Sequence, residues 1–351
     1  MEQKKLSVGD RSFRSIILGN YLYADKTKYI YNMLKNYNCC FLSRPRRFGK
    51  TLLIKTIGEL FKGERQLFEG LWIDTESDYG FEKHPVLNFN MSYSETDTKS
   101  RLIARIKDDL RDAGKRQGVK ISSRSTCDKM MGQLLEGIYE KSGVGAVVLV
   151  DEYDAPVIDH ILDLKLASDN CKVLHDFYRS MKTNIDYIHF ALVTGITRFA
   201  MTSMDSGPNN FKDISILANF AGICGFTIGE LDSLFQDRFE ETLASLKTNK
   251  RIAWNAGFKA LKNKILEWYD GYNWLGDEHI LNPYSILNFF DKKNFPHTGH
   301  QQDSHPTYPP WSNKILWNSS SLDWTDILSR KSGKQNYLNL RQCLYFSTAA
   351  I

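Results

Sequence analysis

No apolar run in this chain of 351 residues approaches the roughly 20 residues that a membrane-crossing helix needs, so no membrane partner is expected. The opening stretch, MEQKKLSVGDRSFRS, is basic but lacks an apolar centre, which excludes the pattern of a secretory leader. None of the six cysteines (Cys39, Cys40, Cys127, Cys171, Cys224 and Cys343) forms a C-x-x-C pair. A structural zinc site is therefore not indicated, and the scatter of the thiols suits a reducing cytoplasm better than a disulfide framework. Charge of one sign is also lacking. The 46 basic residues face 41 acidic ones, a net +5 that does not by itself mark a nucleic-acid-binding chain. Proline is scarce, nine in all, and four of them (Pro296, Pro306, Pro309 and Pro310) crowd into one short stretch near the end. What is present, 42% hydrophobic and 25% charged residues, is the composition of a soluble globular protein with one large domain or two smaller ones.

Periodicity divides the chain. After a short opening segment, a helix is expected from about Lys26. NCCFLSR (38–44), PVLNFNMS (85–92), GAVVLVDEYDAP (145–156) and YIHFALVTGITRF (187–199) read as strands. Between them, GKTLLIKTIGELFKG (49–63), SRLIARIKDDLRDAGKR (100–116), TCDKMMGQLLEGIYEKSG (126–143) and NCKVLHDFYRSMKTN (170–184) read as helices, the first closed by Gly63. Strands alternating with helices predict an α/β fold with a parallel sheet flanked by helices over residues 1–225. Residues 226–294 are helical in pattern, without a strand pattern in 227–247 or 256–274, and predict a small helical subdomain behind the sheet. Residues 295–351 have neither period and are expected to be an irregular, disordered tail.

One string carries chemistry. FLSRPRRFGKT (41–51) ends as a phosphate-binding loop, G-x-x-x-x-G-K-[ST], but has Arg44 where the first glycine belongs. A strand before it and a helix after it are the context such a loop requires, because the helix N-terminus offers unpaired N–H groups to phosphate. Gly49 allows close backbone approach, Lys50 reaches phosphate oxygens and the Thr51 hydroxyl ligates Mg²⁺, with Phe48 and Leu52 flanking them. Arg44, Arg46 and Arg47 are candidates for direct charge contact with phosphate, in place of the missing glycine. The alternatives are an ordinary helix start with a surface lysine and a solvated basic loop.

The strand AVVLVDEYDAP delivers Asp151 and Glu152 directly after five apolar residues. At the carboxyl end of a parallel strand, Asp151 would hold Mg²⁺ and Glu152 would polarise an attacking water, while Asp154 orients the loop. A polar turn after any buried strand is the alternative. In ALVTGITRF, Thr194 sits where a strand between the loop strand and the acid strand would bring a polar side chain near the γ-phosphate. Arg198 could contact phosphate in its own chain or in a neighbour, or serve as a surface ion-pair residue.

Together with YLYADKTKYIYNML, GFTIGEL, YDGYNW and NPYSILNFF, these stretches resemble the bacterial AAA-ATPase-like family, in family order, over about residues 10–290. RPRRFGK[ST] and DEYDAP are specific to it, and an arginine at the first-glycine place is normal there. The resemblance implies a P-loop NTPase of the additional-strand type, with ATP and Mg²⁺ bound through Lys50, Thr51, Asp151 and Glu152. Adenine over guanine is the family's implication, and no guanine-reading N-K-x-D string occurs. Family members commonly continue into a domain resembling PD-(D/E)XK nucleases, and this chain is expected to stop before it. The tail departs from the family after about Phe295; read one base over, it resembles the continuation expected there, which predicts a frameshifted, truncated product. The nucleotide is the expected partner, with a protein partner or a homo-oligomer beside it. A nucleotide switch with little turnover and a nucleic-acid-associated accessory protein are the alternatives, the latter weakly supported.

Overall fold

A computed structural model of the chain describes residues 3–9, 11–93, 96–197, 211–248, 257–274, 278–293 and 295. Its elements run α1 (Phe13–Leu18), α2 (Thr27–Asn36), β1 (Cys39–Ser43), α3 (Lys50–Phe61), α4 (Trp72–Thr75), β2 (Val86–Asn90), α5 (Lys99–Gln117), α6 (Cys127–Ser142), β3 (Ala146–Asp151), α7 (Ala155–Ile158), α8 (Leu164–Thr183), β4 (Ile188–Gly195), β5 (Lys212–Asp213), β6 (Phe226–Thr227), α9 (Ile228–Leu234), α10 (Gln236–Thr248), α11 (Phe258–Tyr269), β7 (Asp270–Asn273), β8 (His279–Leu281) and α12 (Pro283–Lys292). The chain forms two compact units that interleave in sequence. Among the described residues, a sheet unit takes Ile30–Pro45 and Leu53–Ser215, and a loop-bearing unit takes the residues up to Tyr29, Arg46–Leu52 and those from Ile216 on.

In the sheet unit the strand order is β2-β3-β4-β1-β5, and every pairing is parallel. The composition of each strand follows its place. All six residues of β3 and all five of β1 are buried, which is why both are continuous apolar runs. The edge strand β2 instead alternates, with Leu87 and Phe89 inward and Asn88 and Asn90 outward. Helices α5, α6 and α8 bury Leu102, Ile106, Leu110, Leu134, Leu135, Leu174 and Phe177 in one core with β1, β2, β3 and β4. Their ends carry their own signals. The side chains of Thr98 and Asp163 cap α5 and α8, and Gly118 and Gly143 close α5 and α6 in the left-handed conformation. The register sets Leu42 beside Thr194 and Ser43 beside Gly195, and Val150 beside Val193, so the carboxyl ends of β1, β4 and β3 lie level.

In the loop-bearing unit, Leu231, Phe235, Phe239, Leu261, Ile265, Ile286, Phe289 and Phe290 build a second core. Helices predominate there, but the unit is not purely helical. An antiparallel sheet of order β6-β8-β7 pairs Phe226 with Leu281 and Tyr272 with Ile280. The expected helix over 256–274 therefore ends at Tyr269, where Asp270, Gly271 and Asn273 are poor helix formers and the chain pairs instead. The opening segment likewise contains α1, capped by the Ser12 hydroxyl. No helix among the described residues is long and apolar enough to cross a membrane, and the expected tail lies outside the described residues.

Leu149 lies mid-strand in β3, fully buried, between β2 and β4. Leu149→Ala is expected to lower unfolding free energy by about 3 kcal/mol, the middle of the range for emptying a packed leucine site. Chemical denaturation measures it, and a loss of under about 1 kcal/mol would contradict a central position for this strand.

Candidate functional site

The arginine in the first-glycine place is fully buried in the sheet unit. Its backbone N–H donates to the Gly195 carbonyl at 3.1 Å, and its Nη1 donates to the carbonyls of Ser43 and Ser215, each at 2.9 Å. The Ser43 N–H donates to the Ser215 hydroxyl at 2.8 Å. A buried guanidinium must place its donors within the protein, and Arg44 Nη1 does so on one carbonyl at the end of β1 and one after β5. The structure thus places these donors on the protein's own backbone.

The rest of the loop belongs to the loop-bearing unit. Arg46 and Arg47 are exposed, Phe48 and Lys50 are buried, and Gly49, Thr51 and Leu52 are intermediate. Arg47 has φ +67° and Gly49 φ +93°. A Cβ on Gly49 would meet nothing within 4 Å, so glycine is required there by the backbone angle and not by space. The Arg47 guanidinium lies 4.1 Å from the centroid of Tyr284. Phe48 packs edge-on against Tyr272 and Trp274. Lys50 opens α3, twelve residues long, so the loop ends on the helix N-terminus that phosphate chemistry needs.

At the end of β3, Asp151 is 3% exposed. Its Oδ1 accepts the Thr194 hydroxyl at 2.6 Å and the Glu152 N–H at 3.0 Å. Thr194 is on β4, between the loop strand and the acid strand, where the sequence placed it. Glu152 has φ +51°, a left-handed angle that a bulky side chain rarely adopts. Asp154 holds the turn after β4. Its Oδ2 accepts the N–H groups of Ile196 and Thr197 at 3.0 and 2.6 Å, and the Thr197 hydroxyl at 2.6 Å. Burial pushes the Asp154 carboxyl above its ordinary value, against the opposing bonds from Thr197 and Ile196. Gly195 has no room for a side chain, since a Cβ would lie 2.3 Å from the Tyr153 ring and 2.8 Å from Asp154 Oδ1. Tyr153 ties the same turn by donating its hydroxyl to the Thr197 carbonyl at 3.1 Å. The sequence reading missed Tyr153, Gly195, Thr197 and Ser215; only the joint presence of DEYDAP and GIT hinted at the first three. Arg198 lies outside the described residues. Tyr31 donates its hydroxyl to Asp78 at 2.5 Å and packs against Trp72.

The family model described as Predicted AAA-ATPase matches residues 7–205, more than half of the chain, and the chain belongs to this AAA-ATPase-like family. An uncharacterized protein in the vnfD 5' region of Azotobacter chroococcum mcd 1 is 32% identical over 296 residues, which cover 84% of this chain and 53% of that protein. The chain thus spans about half the length of this curated relative. A chain in the structure of Drosophila ORC bound to GC-rich DNA and Cdc6 aligns over 80% of this chain and 92% of its own at 11% identity. Its TM-score of 0.24 is too low to carry an argument.

Asp154→Ala removes the acceptor of three hydrogen bonds and is expected to cost about 2–3 kcal/mol in stability. Asp154→Asn keeps an acceptor and is expected to cost less at neutral pH. Because the folded carboxyl is raised, its protonated form favours the fold. That contribution is fullest below the ordinary carboxylate range and is lost as pH rises through the raised value. The melting temperature of Asp154→Asn is therefore expected to gain on the wild type as pH rises from the acid range, and a gap independent of pH would contradict this account.

Proposed function

We propose that this chain is an ATP-binding, Mg²⁺-dependent P-loop NTPase module. The observation that carries the reading is the interposed strand β4, whose Thr194 gives its hydroxyl to Asp151 at the level carboxyl ends of a parallel sheet. The donor chemistry fits the groups proposed. Lys50 and the N-terminus of α3 suit the β- and γ-phosphate oxygens. The Thr51 hydroxyl and one Asp151 carboxylate suit Mg²⁺, which takes few protein oxygens and keeps its waters. Among the described residues no group of three or more His, Cys, Asp or Glu side chains is placed to hold a metal, so a dedicated protein cage is not the alternative on offer. When bound, Mg²⁺ supplies neutralisation of the phosphate charge.

In this reading Glu152 accepts a proton from the water that attacks the γ-phosphorus, the bond to the β–γ bridging oxygen breaks, and ADP and phosphate leave. By donating to Asp151 Oδ1, Thr194 orients the carboxylate that would hold Mg²⁺. As a sensor, it would exchange that bond for one to the γ-phosphate. Arg46 is the loop arginine whose exposure suits a direct phosphate contact, whereas Arg47 lies on Tyr284.

Titration with a fluorescent ATP analogue and Mg²⁺ tests the reading. Lys50→Ala is expected to weaken binding about tenfold or more. Glu152→Gln is expected to keep binding and to slow hydrolysis about a hundredfold or more. Binding by the folded wild type that Lys50→Ala leaves unchanged would overturn the site.

A further inference from the structure

Two residues of the loop before Gly49 pack on their own unit, Phe48 at the small sheet and Arg47 on α12. Phe48 is 1% exposed, and its ring centroid lies 4.6 Å from that of Tyr272 and 5.9 Å from that of Trp274, both edge-on. Tyr272 and Trp274 themselves stack at 5.8 Å. The backbone joins in, since the Gly225 N–H donates to the Phe48 carbonyl at 3.0 Å. Gly225 has φ +88°, and a Cβ there would lie 2.3 Å from Ile280 Cγ2 and 3.2 Å from Phe48 Cδ1. Arg47, at φ +67°, rests its guanidinium on Tyr284. Each anchor sits on a fixed part of the unit: Gly225 directly before β6, Tyr272 in β7, Trp274 directly after it and Tyr284 in α12.

We propose that Phe48, Gly225, Tyr272 and Trp274 form a brace that holds the phosphate loop in its binding shape, with Arg47 on Tyr284 as a second tie. These are positioning residues. They act through the backbone of Arg47–Gly49 and need not touch the nucleotide. Loop backbone held at two left-handed angles needs such over-determination, because free chain would relax to ordinary angles. Each aromatic contact of this kind shifts an equilibrium by about two- to tenfold. The coupling is reciprocal. Whatever displaces the β6-β8-β7 sheet loosens phosphate, and phosphate on the loop tightens the sheet. The consequence for binding rests on the nucleotide reading above; the brace itself does not.

The full chain tests both parts. Cleavage by trypsin after Arg46 and Arg47, quantified by mass spectrometry without nucleotide, reads the loop, and the ATP-analogue titration reads binding. Trp274→Ala is expected to speed that cleavage and to raise Kd, each about tenfold, while Trp274→Phe stays within about threefold of wild type in both. Unchanged cleavage in Trp274→Ala overturns the brace, and faster cleavage with unchanged Kd overturns its role in binding. If the wild type binds no nucleotide while Trp274→Ala is cleaved faster, the nucleotide reading has failed and the brace stands. Should Trp274→Ala not fold, Tyr284→Leu, at a half-buried position, is expected to speed cleavage after Arg47 about threefold, and no change there overturns the proposal.

Discussion

A carboxylate at the end of a fully buried strand has to be satisfied by the protein itself, and Asp151 imposes that condition on the sheet unit. Five apolar residues precede it and it is 3% exposed, so the protein must supply hydrogen bonds to it. The Thr194 hydroxyl and the Glu152 N–H supply them instead. The first requires β4 to be the neighbour of β3, and the second requires the chain to turn at once. That turn sets Glu152 at a left-handed angle, at a cost of about 1–3 kcal/mol that the surrounding bonds must offset. Asp154 and Tyr153 provide such bonds, tying the residues after β3 to the turn after β4. Removing the side chain from position 195 is what lets the two turns come this close.

The loop-bearing unit solves a different problem. A loop that serves phosphate, as proposed for this one, must present main-chain N–H groups outward, which leaves its own side chains with nowhere conventional to pack. Here Phe48 goes into an aromatic corner and Arg47 lies along a ring, so the loop is held by its side chains as well as by the Gly225 N–H on the Phe48 carbonyl. Gly49 needs only its angle, since open space surrounds it. Conformational demand and contact demand are thus assigned to different residues of one short string.

The legible parts of the sequence were those governed by a single local rule. Buried strands β1 and β3 are apolar up to their last residue, β4 is apolar from Phe190 to Val193, and α5, α6 and α12 keep a 3.6-residue period with recognisable ends. Thr194 could be placed because strand order in this topology dictates which strand lies between the loop and the acids. Illegible parts depended on partners distant in sequence. Strands β5, β6, β7 and β8 are two to four residues long, too short for a period of two to register, and exist only through pairing. Phe48 was legible as a loop residue but not as an anchor, because nothing near it in sequence names Tyr272 or Trp274.

Arg44 brings these strands of argument together. In the ordinary loop the first glycine permits a tight backbone approach. This chain has an arginine there, with its backbone N–H on Gly195 and its guanidinium across the carbonyls of Ser43 and Ser215. Backbone freedom has been replaced by a side-chain tie between the end of β1 and the segment after β5. Both bonds leave one nitrogen, Nη1, whose two N–H groups lie in the guanidinium plane and so hold a fixed geometry that a rotating ammonium does not. Burial makes that charge costly, and the two bonds from Nη1 to main-chain carbonyls offset part of the cost. In R-P-R-R-F-G-K-T, then, Arg44 serves the sheet and Phe48 serves the small sheet of the other unit. Gly49, Lys50 and Thr51 are the positions of that string to which the proposal assigns the phosphate chemistry.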